Sequence, residues 1–218
     1  MTRLDGRLCA VASMIRQGSI LADIGSDHGY LACELVKNEI CPRAYACDIS
    51  EGPLARAGET IEKYGLSGRV EAFLSDGLCA FVNIPVDDIV IAGMGGELIA
   101  RIIGASPWIY REDIRFILQP MSKAERLRRW LYANGFEIEH ETAAVSGRFA
   151  YPVMRVGYKG DSREISDLFA WTGKIWDNTD EASKQYLRRV HRHVLQIAVA
   201  RGDAALMELE RKIGEGLM

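Results

Sequence analysis

The sequence lacks several things that would each have fixed a class. It has five cysteines, Cys9, Cys33, Cys41, Cys47 and Cys79, an odd number with no C-x-x-C pair, so neither a disulfide framework nor a zinc site is expected. Most of them sit in apolar stretches and read as small core hydrophobes. No uninterrupted apolar run reaches membrane-spanning length, and the N-terminus has no signal-peptide pattern, so the expected compartment is the cytoplasm. Charge of one sign is not in excess. The net charge of −3 over 218 residues gives no global pull toward nucleic acid, and any such binding must come from a local basic patch. There is no internal repeat, no low-complexity segment and no G-x-x-x-x-G-K-[ST] phosphate loop. Nothing in the chain requires a protein partner.

What is present is a packed core, with 48% hydrophobic residues against 26% charged. It is organised around residues 20–30. The apolar run from Ile20 to Ile24 reads as a buried strand, Gly25 ends it, and Gly29 opens a helix. A strand, a glycine loop and a helix form a cradle for a nucleotide-like ligand. Glycine admits close backbone approach, and the helix start offers free N–H groups.

An alternation of strands and helices follows. A first helix is expected over residues 4–16, before that strand. Strands are expected at 44–49, 70–74, 88–92 and 114–118, and helices at 54–64, 97–103 and 123–133. Gly52-Pro53 reads as a turn, Gln119-Pro120 as a strand end and Gly93-Met94-Gly95-Gly96 as a loop. Residues 136–145 and 148–158 are both strand-like and are separated only by Ser146-Gly147, which permits a hairpin and forbids a helical crossover. The expected fold is α/β and Rossmann-like: a seven-stranded, mostly parallel sheet with a terminal antiparallel hairpin, the plan of the class I methyltransferases. After residue 159 no strand remains. Asn178-Thr-Asp-Glu181 looks like a capping box, and the rest suits an antiparallel helical hairpin. Two units are expected, a ligand-binding domain at 1–159 and a helical, coiled-coil-like appendage at 160–218.

In such a sheet, ligands sit beyond the carboxyl ends of the strands. Four strand ends carry suitable groups. The first gives Asp23, Gly25, Ser26, Asp27, His28 and Gly29. The second gives Asp48, about twenty residues past the glycine loop, where a carboxylate can accept from both ribose hydroxyls. The third gives Asp76-Gly77, able to accept from an adenine amine. The fourth gives Gly93 to Gly96, backbone without bulk. Any one alone reads as a helix cap or a turn; four in consecutive units are more specific. The loop is Gly25-x-x-x-Gly29 rather than G-x-G-x-x-G. The acids Asp23 and Asp27 would repel a pyrophosphate but suit a donor bearing an ammonium and a sulfonium, such as S-adenosylmethionine.

The segments Ala22-Asp-Ile-Gly-Ser-Asp-His-Gly-Tyr-Leu31, Ile91-Ala-Gly-Met-Gly-Gly96, Ile117-Leu-Gln-Pro120 and Leu127-x-x-Trp130-Leu-Tyr-x-x-Gly135-Phe together resemble the bacterial tRNA (adenine-22-N1)-methyltransferase family. The likeness runs from residue 3 to about 158. It implies a methyltransferase acting on N1 of a D-loop adenine in tRNA, with the helical tail helping to hold the tRNA. Cofactor roles then fall on the first-strand loop, on Asp48, Ile49 and Ser50, on Asp76 and Gly77, and on Ala92, Gly93, Met94, Gly95 and Gly96. The sequence departs from the family at Met121, where Asn is usual, and over Val145 to Pro152.

Adenine N1 is already a nucleophile, so alignment is the main task, and a carboxylate near the ring would stabilise the charge that methylation creates. Asp27 is the first candidate for that carboxylate; His28 and Tyr30 are candidates for positioning the base or relaying a proton. Each also has a plainer role: ammonium binding for Asp27, helix capping for His28 and core packing for Tyr30. Candidate RNA contacts are Arg3 and Arg7 at the mouth, and Arg188, Arg189 and Arg192 in the tail, with His191, His193, Trp171 and Trp176 nearby. His191 and His193 are two apart and share no helical face, so no metal is expected. A second basic run, Lys123, Arg126, Arg128 and Arg129, reads as a solvated helix face. Other readings are a methyltransferase for a small molecule or protein, an RNA-binding module with a vestigial pocket and, more distantly, a dehydrogenase.

Overall fold

The computed structural model describes residues 4–217. Arg3 lies outside the described residues. The elements run in the order α1 (Gly6–Ala12), β1 (Ile20–Ile24), α2 (Tyr30–Lys37), β2 (Arg43–Asp48), α3 (Glu51–Tyr64), β3 (Val70–Leu74), β4 (Asp88–Gly95), α4 (Gly96–Gly104), β5 (Arg115–Ser122), α5 (Ala124–Ala133), β6 (Phe136–Ser146) and β7 (Phe149–Tyr158). The tail adds α6 (Asp167–Thr172), α7 (Glu181–Arg201) and α8 (Ala204–Glu215).

The seven strands form one sheet in the order β3-β2-β1-β4-β5-β7-β6. All pairings from β3 across to β5 are parallel, and β7 pairs antiparallel with both β5 and β6. The chain leaves the β3 edge and re-enters beside β1, so the order reverses between β1 and β4. That reversal opens the crevice at which doubly wound sheets bind ligands.

Period-two alternation distributes the strand side chains over two cores. Ala22, Ile24, Ile89, Ile91, Phe116 and Leu118 face one side, with Ile99 and Ile103 of α4 and Leu127 and Leu131 of α5. Leu21, Val90 and Ile117 face the other, with Val11 of α1, Leu31 and Leu35 of α2, and Ile61 of α3. Being covered on both faces, these strands read as continuous apolar runs. Cys33, Cys41 and Cys47 are fully buried among them, and burial pushes the Cys33 and Cys41 thiols up to about 11. Cys9 and Cys79 are exposed. Among the described residues no helix is long and apolar enough to cross a membrane, and no group of three or more His, Cys, Asp or Glu is placed to hold a metal.

Several element boundaries differ from expectation, each for a local reason. The first helix covers only Gly6–Ala12, with Asp5 as its cap. Arg16 is drawn away to the buried Asp88, its backbone N–H donating to Oδ2 at 2.7 Å and its Nε to Oδ1 at 2.6 Å. Gly52-Pro53 is not a turn but the first turn of α3, where proline's missing N–H costs nothing. Gln119-Pro120 does not close β5, which continues to Ser122. Pro120 sits where the β4–β5 register shifts, a position that tolerates it. Likewise Gly93 to Gly95 extend β4. In the tail, the cap of α7 is Asp180 rather than Asn178. Asp180 Oδ1 accepts from the Ser183 N–H at 3.0 Å, and Asn178 instead donates to the Glu141 carbonyl.

The tail packs on the hairpin. Tyr186, Leu187, Val190 and Val194 of α7 and Leu209 and Ile213 of α8 share a core with Ala143 of β6 and Ala150 of β7. Helices α7 and α8 fold back on each other, His191 Nε2 meeting Glu210 Oε1 at 2.6 Å.

Beneath this junction lies a fully buried ion pair, Arg128–Glu141. Arg128 Nε and Nη2 donate to Glu141 Oε1 at 3.0 and 2.7 Å. Its remaining hydrogens go to the carbonyls of Ala170 and Trp171 and to the Tyr186 hydroxyl. Glu141 Oε2 accepts from the Lys174 N–H at 2.9 Å. Burial opposes the Arg128 charge, but Glu141 and Tyr186 more than offset it, and the guanidinium pKa is raised. Arg128 therefore does not belong to a solvated face, as the basic run had suggested. Its neighbours Arg126 and Arg129 pair with Glu97 and Asp167.

Candidate active site at the strand tips

The carboxyl ends of β1 to β4 lie side by side. Ile24 is in register with Cys47 of β2 and Ile91 of β4, and Asp48 with Leu74 of β3. The Gly25 and Ser26 N–H groups both donate to the Cys47 carbonyl at 2.8 Å, and the Ser75 N–H donates to the Asp48 carbonyl at 3.0 Å. A Cβ on Gly25, which has φ +79°, would fall 2.2 Å from Met94 Cε. Asp23, Asp48, Asp76 and Met94 thus share one edge of the sheet.

At that edge a cleft of about 270 Å³ is lined by Arg7, Leu8, Asp23, Gly25, Ser26, Asp27, His28, Tyr30, Leu31, Ala92 and Gly93. Asp23 is buried, and burial pushes its carboxyl up to about 6 against a hydrogen bond with Ser26. A buried carboxylate facing a cleft, with no cation paired to it among the described residues, is a fitting partner for a ligand ammonium. Asp48 is half-buried, and its Oδ1 accepts from the Ser50 N–H at 2.9 Å. Among the described residues its other oxygen has no protein donor, which leaves it for a diol. Ile49 is 65% exposed at the same tip, an apolar side chain suited to the face of a flat ring. Asp76 is exposed beyond β3, and Gly77 has φ +58°. The donor set fits S-adenosylmethionine, with its ammonium, ribose and adenine.

The remaining expected residues divide. Gly93 borders the cleft with open space around it. Met94, Gly95 and Gly96 are not part of its lining, nor are Asp48, Ile49, Ser50, Asp76 and Gly77, which stand at and just beyond the neighbouring tips of β2 and β3. A Cβ on Gly96 would meet the Lys123 carbonyl at 2.4 Å, so this glycine lets α4 pack against the end of β5. Asp27 is exposed at the rim and paired with Arg56, whose hydrogen bond holds the carboxyl below the usual range; His28 Nε2 lies 3.2 Å from its Oδ2. The His28 ring stacks on Tyr30 at 5.2 Å between centroids. Helix α2 is capped by Gly29 without a side chain, so His28 does not cap it.

Sequence reasoning missed Gln119. It is fully buried, and its Oε1 accepts from Arg7 Nη1 at 2.9 Å and from the Gly93 N–H at 3.1 Å. Arg7 Nη1 also lies 3.3 Å from Met121 Sδ. A lone amide inside an apolar strand was the available signal. Arg56, the partner of Asp27, left no signal in the sequence. The tail cations also separate. Arg189 and Arg192 face a cavity beside β5, whereas Arg188 pairs with Glu181.

Comparison with known proteins agrees with this geometry. The family described as Methyltransferase domain matches residues 4–154. The tRNA (adenine(22)-N(1))-methyltransferase of Bacillus subtilis is 38% identical over 159 residues, which are 73% of this chain and 66% of that relative's length. A Streptococcus pneumoniae protein solved in complex with S-adenosyl-L-methionine superposes with a TM-score of 0.88 at 31% identity, covering 99% of this chain and 100% of the other. The B. subtilis m1A22 tRNA methyltransferase TrmK superposes with a TM-score of 0.82 at 28% identity, covering 100% and 97%. With its strand-tip cleft, its hairpin-closed sheet and these likenesses, the chain belongs to the methyltransferase domain family, in the group of the tRNA (adenine-22-N1)-methyltransferases.

Proposed function

We propose that the protein methylates N1 of adenine 22 in tRNA, using S-adenosylmethionine. The observation that carries this reading is the end-to-end correspondence with the S. pneumoniae structure holding S-adenosyl-L-methionine, over a chain whose own strand tips carry the matching donors. When bound, S-adenosylmethionine supplies an electrophilic methyl group on sulfur. Asp23 holds the ammonium, Asp48 the ribose hydroxyls, and Ile49, Ser50, Asp76 and Gly77 the adenine end. Gly25 and Gly93 keep the backbone clear beside the reacting centre.

The target adenine has to leave its stack, at a cost of a few kcal/mol. Asp27, held ionised by Arg56, lowers the energy of the cationic ring that forms, and the stacked His28 and Tyr30 orient the base. Residues 1–159 carry the donor and the chemistry, and residues 160–218 hold the RNA. The test is transfer of labelled methyl to an unmodified tRNA transcript. Incorporation is expected with adenine at position 22 and is lost when that base is replaced. Absent incorporation, or incorporation that survives the replacement, rejects the reading.

A further inference from the structure

A second cavity, of about 550 Å³, is larger than the donor cleft and separate from it. It lies between the end of β5 and helix α7, and its volume falls in the range of about 300–1,000 Å³ usual for ligand pockets. Along the sheet edge the donor cleft sits over β1 and β4, and this cavity begins at the next strand. We propose that it is a nucleotide subsite, taking the nucleotide next to the target adenine, with the phosphate among Lys123, Arg189 and Arg192 and the base against Met121 and Trp171. The proposal rests on the reading of the substrate as RNA.

Three observations carry it. The first is charge. Arg126, Arg128, Arg129, Arg188 and His191 on the flanking helices each have a carboxylate partner. Among the described residues Lys123, Arg189 and Arg192 have none within ion-pair distance and line the cavity, whereas Lys184 and Arg201, near the two ends of α7, are also unpaired but lie outside it. The single lining carboxylate, Glu125, lies 3.9 Å from Arg126 Nε. Unpaired cations converging on one hollow suit an anion, and every nucleotide brings one.

The second is continuity. Arg7 borders the donor cleft, bonds to Gln119 and reaches Met121, which lines the cavity. The same guanidinium lies 5.9 Å from the Tyr151 ring centroid, and Arg189 lies 4.9 Å from that ring. One aromatic ring thus touches a cation from each compartment, and a single strand of RNA could follow the line between them. Cations alternating with aromatic faces are the usual track for unpaired nucleotides.

The third is strain. Lys123 is one of two non-glycine residues among those described with positive φ, at +57°. The close packing of Gly96 on its carbonyl fixes that turn at the cavity's lip. Backbone held in this region by its surroundings is a mark of functional positions.

The test is a methylation assay with the full chain, pairing protein variants with RNA in which single phosphates within two nucleotides of the target are made neutral as methylphosphonates. Wild-type protein that fails to methylate the unmodified transcript would sink the proposed function itself, and the subsite with it. If wild type is active, Arg192→Ala is expected to raise KM for tRNA about tenfold and to change kcat less than about twofold. One methylphosphonate is expected to do the same, and the two together to add less than about threefold to either alone. Arg192 is exposed, so folding is not at issue, and Lys123→Gln gives a second, independent reading. Arg111→Ala, in the loop before β5 and paired with Asp113, should leave KM unchanged. An unaltered KM in both cavity variants, or full additivity at every phosphate, overturns the subsite.

Discussion

The strand tips and the tail junction hold the sheet's two ends in opposite ways. The tips of β1 to β4 are built from glycines and short polar side chains, each contributed by a local strand-to-helix turn. The junction is built from one buried ion pair whose members, Arg128 and Glu141, are drawn from α5 and β6 and whose other partners come from the tail. At the tips a buried carboxylate, Asp23, stands without a cation among the described residues and fits a ligand's charge. At the junction every charge is already satisfied by the protein. A buried ionisable group therefore has two uses in this molecule, and the presence or absence of an internal partner distinguishes them.

The largest expected effect tests the junction. Glu141→Leu leaves the Arg128 guanidinium buried without its carboxylate and should cost about 3–5 kcal/mol in denaturant unfolding. Adding Arg128→Met should return much of that loss, because a matched apolar pair has no stranded charge. A double variant as unstable as the single one would show that the carbonyl bonds to the tail, rather than the ion pair, hold the junction.

A smaller effect tests the tips. The Asp23 carboxyl is raised by burial to about 6, so in the free protein its contribution to stability is complete below the unfolded value near 3.8 and is lost as pH rises through 6. A bound ammonium favours the ionised form. Affinity for S-adenosylmethionine should therefore fall up to about tenfold per pH unit below 6, and Asp23→Asn should be weaker at neutral pH and flat through that range. Calorimetry across about pH 5 to 8 checks it; a wild-type affinity that does not move would remove Asp23 from the ammonium site. The smallest effect lies at the surface: Arg188→Ala breaks an exposed pair with Glu181 and should change stability by less than about 0.5 kcal/mol in thermal unfolding.

The same contrast explains what could be read from the chain. Strand tips announce themselves because each is a contiguous word: the apolar run to Ile24 followed by Gly25, Asp48 closing a strand, and Asp76 before Gly77. The sheet and its closing hairpin follow from periodicity and from two residues of turn. The junction has no such local mark. Arg128 stands among other basic residues at helical spacing, and only the fold reveals that it faces inward, to a carboxylate thirteen residues on. Gln119 does carry a local mark, an amide inside an apolar strand, but its partners Arg7 and Gly93 are distant in the chain and only the fold joins them. Gly96 shows the converse error: it sits in a glycine-rich motif that reads as ligand contact, yet its missing side chain makes room for a neighbouring carbonyl.

The reversed direction of β7 has a consequence for the tail. Because β7 runs against β5, the chain leaves the sheet at the edge away from the cleft, where the Lys159 and Gly160 N–H groups bond to the Gly135 carbonyl. The connector then climbs back along α5, from Tyr132 past Arg129 and Arg128, before α7 can present Arg189 beside Tyr151. Its length works as a ruler: residues 160–166 span the gap from the Gly135 carbonyl to the start of α6, and so set where along the sheet the cationic helix begins.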